Sequence, residues 1–182
     1  RGYIDKPIGD FRRGGEYSLF TLKSNASSKN VSSKIISRTN FYKFGVLICF
    51  EDIFPYLSRE FVLAGANFLV NITNDAWFGN TAASRQHLQS SVFRAIENRV
   101  PVIRAANTGV SGFVDSTGKI ISTVEVEGEE IFVTGVQTDS VNIYAGRSFY
   151  TVYGDVFVYF CGLMLLLLMI VEGASQKKER KP

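Results

Sequence analysis

The chain has 182 residues, with 20 Lys and Arg against 17 Asp and Glu for a net charge of +3. That length suits one domain with its own core, and the small, scattered charge without a basic stripe argues against nucleic acid as a partner. Two cysteines far apart do not make a disulfide framework, and a lone histidine, His87, without paired cysteines at ligand spacing predicts no metal site.

The chain opens at Arg1-Gly2-Tyr3 with no initiator methionine and no signal-peptide pattern, so it is expected to be the carboxyl portion of a longer protein. Phe11 to Ser37 is polar and turn-rich, with Arg12-Arg13-Gly14-Gly15 and the run Ser24 to Asn30, which predicts a hairpin or surface loop. Phe44 to Ile48 is a short apolar run of the kind that forms a fully covered strand. It ends on Cys49. Asp52 is the expected N-cap and Pro55 the first-turn residue of a helix running to about Ala64, with Gly65 as its stop.

Phe68 to Ile72 predicts a second buried strand, whose end delivers the loop Asn74 to Gly79. Leu88, Val92, Ala95 and Ile96 share one face of a helix from about Ala83 to Arg99, which Pro101 stops. His87 falls on the polar side of that helix and is read as structural. Val102 to Ala106 and Gly112 to Asp115 predict two more strands. A tight turn at Asp115 to Lys119 leads into Ile120–Val126, and Ile131–Val136 predicts a last strand. Strands and helices alternating before a meander give an α/β layout with mixed pairing.

The terminal stretch from Val156 to Val171 carries no charge. As a helix it would cover about 24 Å, a little short of a hydrocarbon core of about 30 Å. A buried core helix is the alternative, but the Leu-Met block is apolar on every face, which predicts a membrane span. Tyr153 and Tyr159 suit an interface. The basic run Gln176-Lys177-Lys178-Glu179-Arg180-Lys181 predicts a cytoplasmic end, which places the preceding domain on the outer side.

Cys49 is the residue with chemistry. A thiol at a strand-to-helix corner faces unpaired backbone N–H groups and a helix dipole, both of which favour the nucleophilic thiolate and suit covalent acyl chemistry. The alternative is a small buried residue, as free cysteines often are.

Three blocks occur in order: Ile48-Cys49-Phe50-Glu51, then Val70 to Gly79 containing Asn74-Asp75-Ala76-Trp77-Phe78-Gly79, then Arg104-Ala105-Ala106-Asn107-Thr108-Gly109-Val110-Ser111-Gly112-Phe113. Together they resemble the nitrilase, or carbon–nitrogen hydrolase, superfamily. The Asp-Ala-Trp-Phe form with an apolar tail resembles its apolipoprotein N-acyltransferase branch, over nearly all of the chain from about Phe11. The resemblance implies the C-terminal part of a nitrilase-like α-β-β-α sandwich followed by one transmembrane helix. The expected domains are a partial catalytic domain at 1–150, a membrane helix at 151–173 and a basic tail at 174–182.

It also implies roles for residues. Cys49 matches the nucleophile, and the N–H of Phe50 would donate to the oxyanion, a contribution of about 3 kcal/mol for one such donor. Glu51 matches the acidic residue after the nucleophile, or is a local cap. Asn74, Asp75, Trp77 and Phe78 are candidate substrate contacts, the aromatics lining a lipid entrance. Alternatively, Trp77 fills the core, and Asn74 and Asp75 fix their loop through local bonds. Asn107-Thr108-Gly109 is read as a tight turn near the nucleophile. The family's glutamate base and its lysine lie upstream. Neither Lys6 nor Glu16 sits in a matching context, so both roles stay unassigned and the chain alone is expected to be inactive.

The implied reaction moves a fatty acyl group from a membrane phospholipid through a thioester on Cys49. The acceptor is the N-terminal amine of a diacylglyceryl-cysteine lipoprotein, at the outer face of the bacterial cytoplasmic membrane, without cofactor or metal. A membrane-anchored amidohydrolase and a catalytically dead membrane-bound module are the alternatives.

Overall fold

The computed structural model describes residues 15–24, 27–28, 36–37, 40–144 and 146–179. Lys6, the Arg12–Gly14 turn and the final three residues of the basic tail lie outside them. The strands are β1 (Phe20–Ser24), β2 (Ser27–Ser28), β3 (Ile36–Ser37), β4 (Asn40–Ile48), β5 (Phe68–Asn74), β6 (Val102–Asn107), β7 (Gly112–Val114) and β8 (Ile120–Thr123). The helices are α1 (Pro55–Leu63), α2 (Ala83–Asn98), α3 (Phe149–Tyr153) and α4 (Val156–Glu179).

Six strands form one sheet in the order β1-β4-β5-β6-β7-β8, while β2 and β3 pair separately. The centre is parallel, β4 with β5 and β5 with β6, because α1 and α2 provide the crossovers. The outer strands β1, β7 and β8 pair antiparallel to their neighbours. The expected mixed α/β sheet is therefore present. One predicted strand is not: Ile131–Val136 forms no strand, and Ile131 instead buries its side chain in the core from an irregular segment. Apolar composition alone does not supply a pairing partner.

The sheet has two unlike faces. On one, Leu47, Leu69, Val102 and Val114 pack with Val62, Leu88 and Ala95 of the helices. Gly45 lets α1 approach, since a Cβ there would stand 2.5 Å from the Phe61 ring. Alternation sends Phe44, Val46, Ile48, Val70 and Ile72 to the other face. There Phe20, Phe44 and Phe68 stack across three strands with centroids 5.3 and 5.1 Å apart. No described helix covers that face, and Phe20, Leu22, Ile48 and Ile72 are all exposed on it.

Helix α1 has Pro55 in its first turn and closes where Gly65 takes a left-handed φ of 108° and donates to the Val62 carbonyl, as expected. Asp52 does not cap it. The residue preceding the helix is Phe54, and Asp52 is fully buried elsewhere. In α2 the buried face differs from the expected apolar one. Ser84, His87, Ser91, Arg94 and Asn98 recur at three- and four-residue spacing and point inward with Leu88 and Ala95, whereas Ile96 is exposed.

Helix α3 packs against α1 and α2. Its Thr151 hydroxyl donates to Asn98, and the Arg59 guanidinium donates to the carbonyls of Tyr150, Thr151 and Val152. The chain turns at Gly154 and continues as α4, whose apolar side chains from Val156 to Val171 are almost all exposed. Among the described residues no helix is long and apolar enough to cross a membrane. The described side chains of α4 end at Glu172.

Candidate active site

Strand β4 ends at Ile48, and Cys49 opens a short 3-10 turn, Cys49–Ile53, with φ at 52°. A left-handed non-glycine residue costs of order 1–3 kcal/mol and persists only where its surroundings hold it. Two bonds do so here. Glu51 reaches back to accept from the Ile48 N–H at 2.8 Å, and the Asn71 amide donates to the Cys49 carbonyl at 3.0 Å. Cys49 itself is half-buried.

Beneath the turn lies a closed polar cluster drawn from four elements. Arg104 on β6 is the centre: one terminal nitrogen donates to Asp52 at 3.0 Å and Asn71 at 2.8 Å, the other to Asp75 at 3.0 Å. Asn71 and Arg104 are register partners on neighbouring strands. His87 on α2 bridges the carboxylates, with Nδ1 2.8 Å from Asp75 and Nε2 3.0 Å from Asp52. The Ser91 hydroxyl donates to Asp52 at 2.6 Å. All six side chains are buried.

Burial pulls the His87 pKa down, and the Arg104 charge pulls the same way. The hydrogen bond and charge of Asp52, with the hydrogen bond to Asp75, outweigh them and leave it raised above 6.5. The two carboxylates thus face Arg104 and an imidazole that holds its proton more tightly than a free one. Mutual pairing is what permits four ionisable groups in a core.

The Asn74–Gly79 loop divides. Asn74 is exposed, accepting from the Ala76 N–H and from the Asn107 amide. Trp77 is 82% exposed, so it does not fill the core. Phe78 is half-buried and meets the Phe50 ring edge-on at 5.7 Å, which brings two predicted site residues together beside Cys49. Asp75 goes the other way. Substrate contact by Asp75 does not fit this placement, because the side chain is buried and both oxygens take protein donors. Thr108, at φ 61°, forms the expected turn, with Gly109 lying so close to Asp75 that a Cβ would collide with the carboxylate.

The sequence reading missed Asp52, Asn71, Ser91 and Arg104. The signal was available in the strands, where polar Asn71 and Arg104 interrupt otherwise apolar runs at positions that turn out to be paired. Among the described residues no group of three or more His, Cys, Asp or Glu could hold a metal ion.

The profile of the Carbon-nitrogen hydrolase family matches residues 12–145. The chain belongs to that family. Among curated relatives, the apolipoprotein N-acyltransferase of Geobacter metallireducens is 50% identical over 119 residues, covering 65% of this chain and 22% of the relative. Apolipoprotein N-acyltransferase 2 of Treponema denticola is 34% identical over 184 residues, covering 98% of this chain and 31% of its own length. The chain thus spans under a third of either relative. Among solved structures, Saccharomyces cerevisiae Nit3, of branch 10 of the nitrilase superfamily, is 29% identical with a TM-score of 0.42, over 58% of this chain and 40% of that one.

Proposed function

We propose that this chain is the nucleophile-bearing part of a bacterial N-acyltransferase of lipoprotein maturation. The observation that carries the reading is Cys49 in a left-handed turn at a strand end, inside a carbon–nitrogen hydrolase domain whose relatives are named apolipoprotein N-acyltransferase.

In the first step the Cys49 thiolate attacks the ester carbonyl of a phospholipid. A C–S bond forms, the acyl C–O bond breaks, and the glycerol oxygen leaves with a proton as lysophospholipid. In the second step the lipoprotein's N-terminal amine attacks the thioester. An amide forms, the C–S bond breaks, and the amine proton is passed on as the thiolate returns. The Phe50 N–H stabilises the oxyanion in both steps, Glu51 secures the turn, and Asn74, Trp77 and Phe78 border the lipid entrance with Asp75 anchoring their loop. The general base and the lysine of the family lie outside this stretch.

The catalytic unit extends through α3, which packs on α1 and α2, and the apolar part of α4 from Val156 forms a membrane anchor with 174–182 on the cytoplasmic side. The exposed apolar surface of α4 supports the anchor, because such a patch in water would be a liability. The bare apolar face of the sheet supports a second sheet packed against it, as in an α-β-β-α sandwich. Both substrates lie in the membrane, so an anchor holds the nucleophile where they are.

The test is incubation of the full-length protein with phospholipid and a diacylglyceryl peptide. N-acylated peptide and a hydroxylamine-labile acyl group on Cys49 are expected, and Cys49→Ala abolishes both. Free fatty acid as the sole product would make the protein a hydrolase. No product and no thioester would make it a non-catalytic membrane module.

A further inference from the structure

We propose that Asn71 is a positioning residue for Cys49: its amide, oriented by Arg104, pins the Cys49 carbonyl and so sets the turn that aims the sulfur. The inference rests on the acyl-transfer reading for its rate measurement, and carries a second readout that does not.

The orientation of the Asn71 amide is chemically forced. Arg104 has only donors, so at 2.8 Å it must face the Asn71 oxygen. The Asn71 nitrogen is left to face the Cys49 carbonyl, which only accepts, at 3.0 Å. Reversing the amide would spoil both bonds. Asn71 is fully buried in the middle of a parallel strand, where an apolar side chain would pack without needing partners. Its presence there is explained by the one thing it reaches on the far side, the peptide group of a residue held at φ 52°.

The anchor on which Asn71 pulls is rigid. Arg104 is fixed by Asp52 and Asp75, Asp52 by Ser91 and His87 of α2, and every one of these groups is buried. Asp52 also belongs to the 3-10 turn that Cys49 begins, so one guanidinium holds the turn directly at Asp52 and through Asn71 at Cys49. A shift of about 1 Å in a reacting group is enough to cost two orders of magnitude in rate.

The decisive variant is Asn71→Asp in the full-length protein. It is close to isosteric and keeps a partner for Arg104, but sets a carboxylate oxygen against the Cys49 carbonyl. Single-turnover thioester formation from phospholipid is expected to slow at least tenfold, with the phospholipid concentration giving half-maximal rate unchanged within twofold. Alkylation of Cys49 by iodoacetamide, which needs no lipid, is expected to slow at least fivefold. Asn71→Ser, too short to span the gap, is expected to do the same. Thr151→Val, which removes a buried hydrogen bond in α3 away from Cys49, is expected to lower the melting temperature with both rates preserved.

Wild-type rates in folded Asn71→Asp or Asn71→Ser protein would overturn the proposal. Failure of both variants to fold would also overturn it, making Asn71 a structural residue only. Wild-type protein that alkylates readily but forms no thioester would overturn the acyl-transfer reading instead, and the alkylation rates would still decide the role of Asn71.

Discussion

The Phe50 ring lies nearly flat on the His87 imidazole, with centroids 4.7 Å apart and planes 25° from parallel. One residue after the candidate nucleophile, the surface of the site is thus stacked directly on the buried polar cluster. Two aromatic rings in this stacked arrangement attract beyond their contact area. Phe50→Ala is expected to cost about 1 kcal/mol of stability and to slow thioester formation, whereas Phe50→Tyr, which keeps the ring, should preserve the rate. Parallel acylation assays on the two variants check this.

The raised pKa of His87 gives stability a pH dependence of definite sign. The folded protein holds its proton more tightly than the unfolded chain does, so the stabilisation is complete below about pH 6.5 and is lost as pH rises through the higher folded value. Asp52, Asp75 and Arg104 are the charged groups facing the ring. Melting temperature is expected to fall as pH rises from about 6.5 through the higher folded value. His87→Gln should flatten that slope; an equal slope in the variant would assign it to another group.

Asp52→Ala should be among the most damaging replacements in the domain. It removes one of two carboxylates from a fully buried cluster and leaves Arg104 with Asp75 alone. Breaking a buried pair from one side typically costs about 3–5 kcal/mol. Denaturant unfolding of the full-length protein is expected to show a loss of that order.

Arg59 closes the carbonyl end of α3 from α1. Arg59→Ala takes the side-chain donor from the Thr151 and Val152 carbonyls, while Tyr150 keeps the Gly154 N–H, at a cost of about 1–3 kcal/mol. The loss is expected locally: faster hydrogen exchange in residues 149–154, with β4 to β6 unchanged.

The bare face of the sheet offers a test of the second sheet. Ile72→Lys on a solvent-facing strand would change stability by less than about 0.5 kcal/mol. Under a packed sheet it would bury an ammonium, and the full-length protein should lose several times that, read from its unfolding midpoint.

Much of this fold was legible because burial leaves a mark on composition. The runs at Phe44, Phe68 and Val102 became the parallel centre of the sheet, and Pro55 and Gly65 bracketed α1 as turn chemistry requires. Cys49 announced itself at a strand end. What hid was the polar core. Asp52 looked like a cap because Asp before a helix usually is one, and only the three-dimensional meeting of β5, β6 and α2 shows it serving Arg104 instead. The inward face of α2 differs from the expected one for the same reason: polar residues at helical spacing look like a wet surface until their partners are found, Arg104 for His87 and Ser91 and Thr151 for Asn98. Ile131–Val136 failed as a strand because residue type does not reveal whether a free sheet edge is within reach.

The bonds under Cys49 also constrain how this domain can change. Asp52, Asp75, His87 and Arg104 are sealed from water and bonded to one another, so a lone replacement strands a buried partner, while a matched pair of replacements removes both sides of the bond. Substitutions at 52, 75, 87 and 104 are therefore expected to be tolerated in twos where they are not tolerated singly. Drift through this part of the protein is confined to coupled steps, although each position is far from the others along the chain.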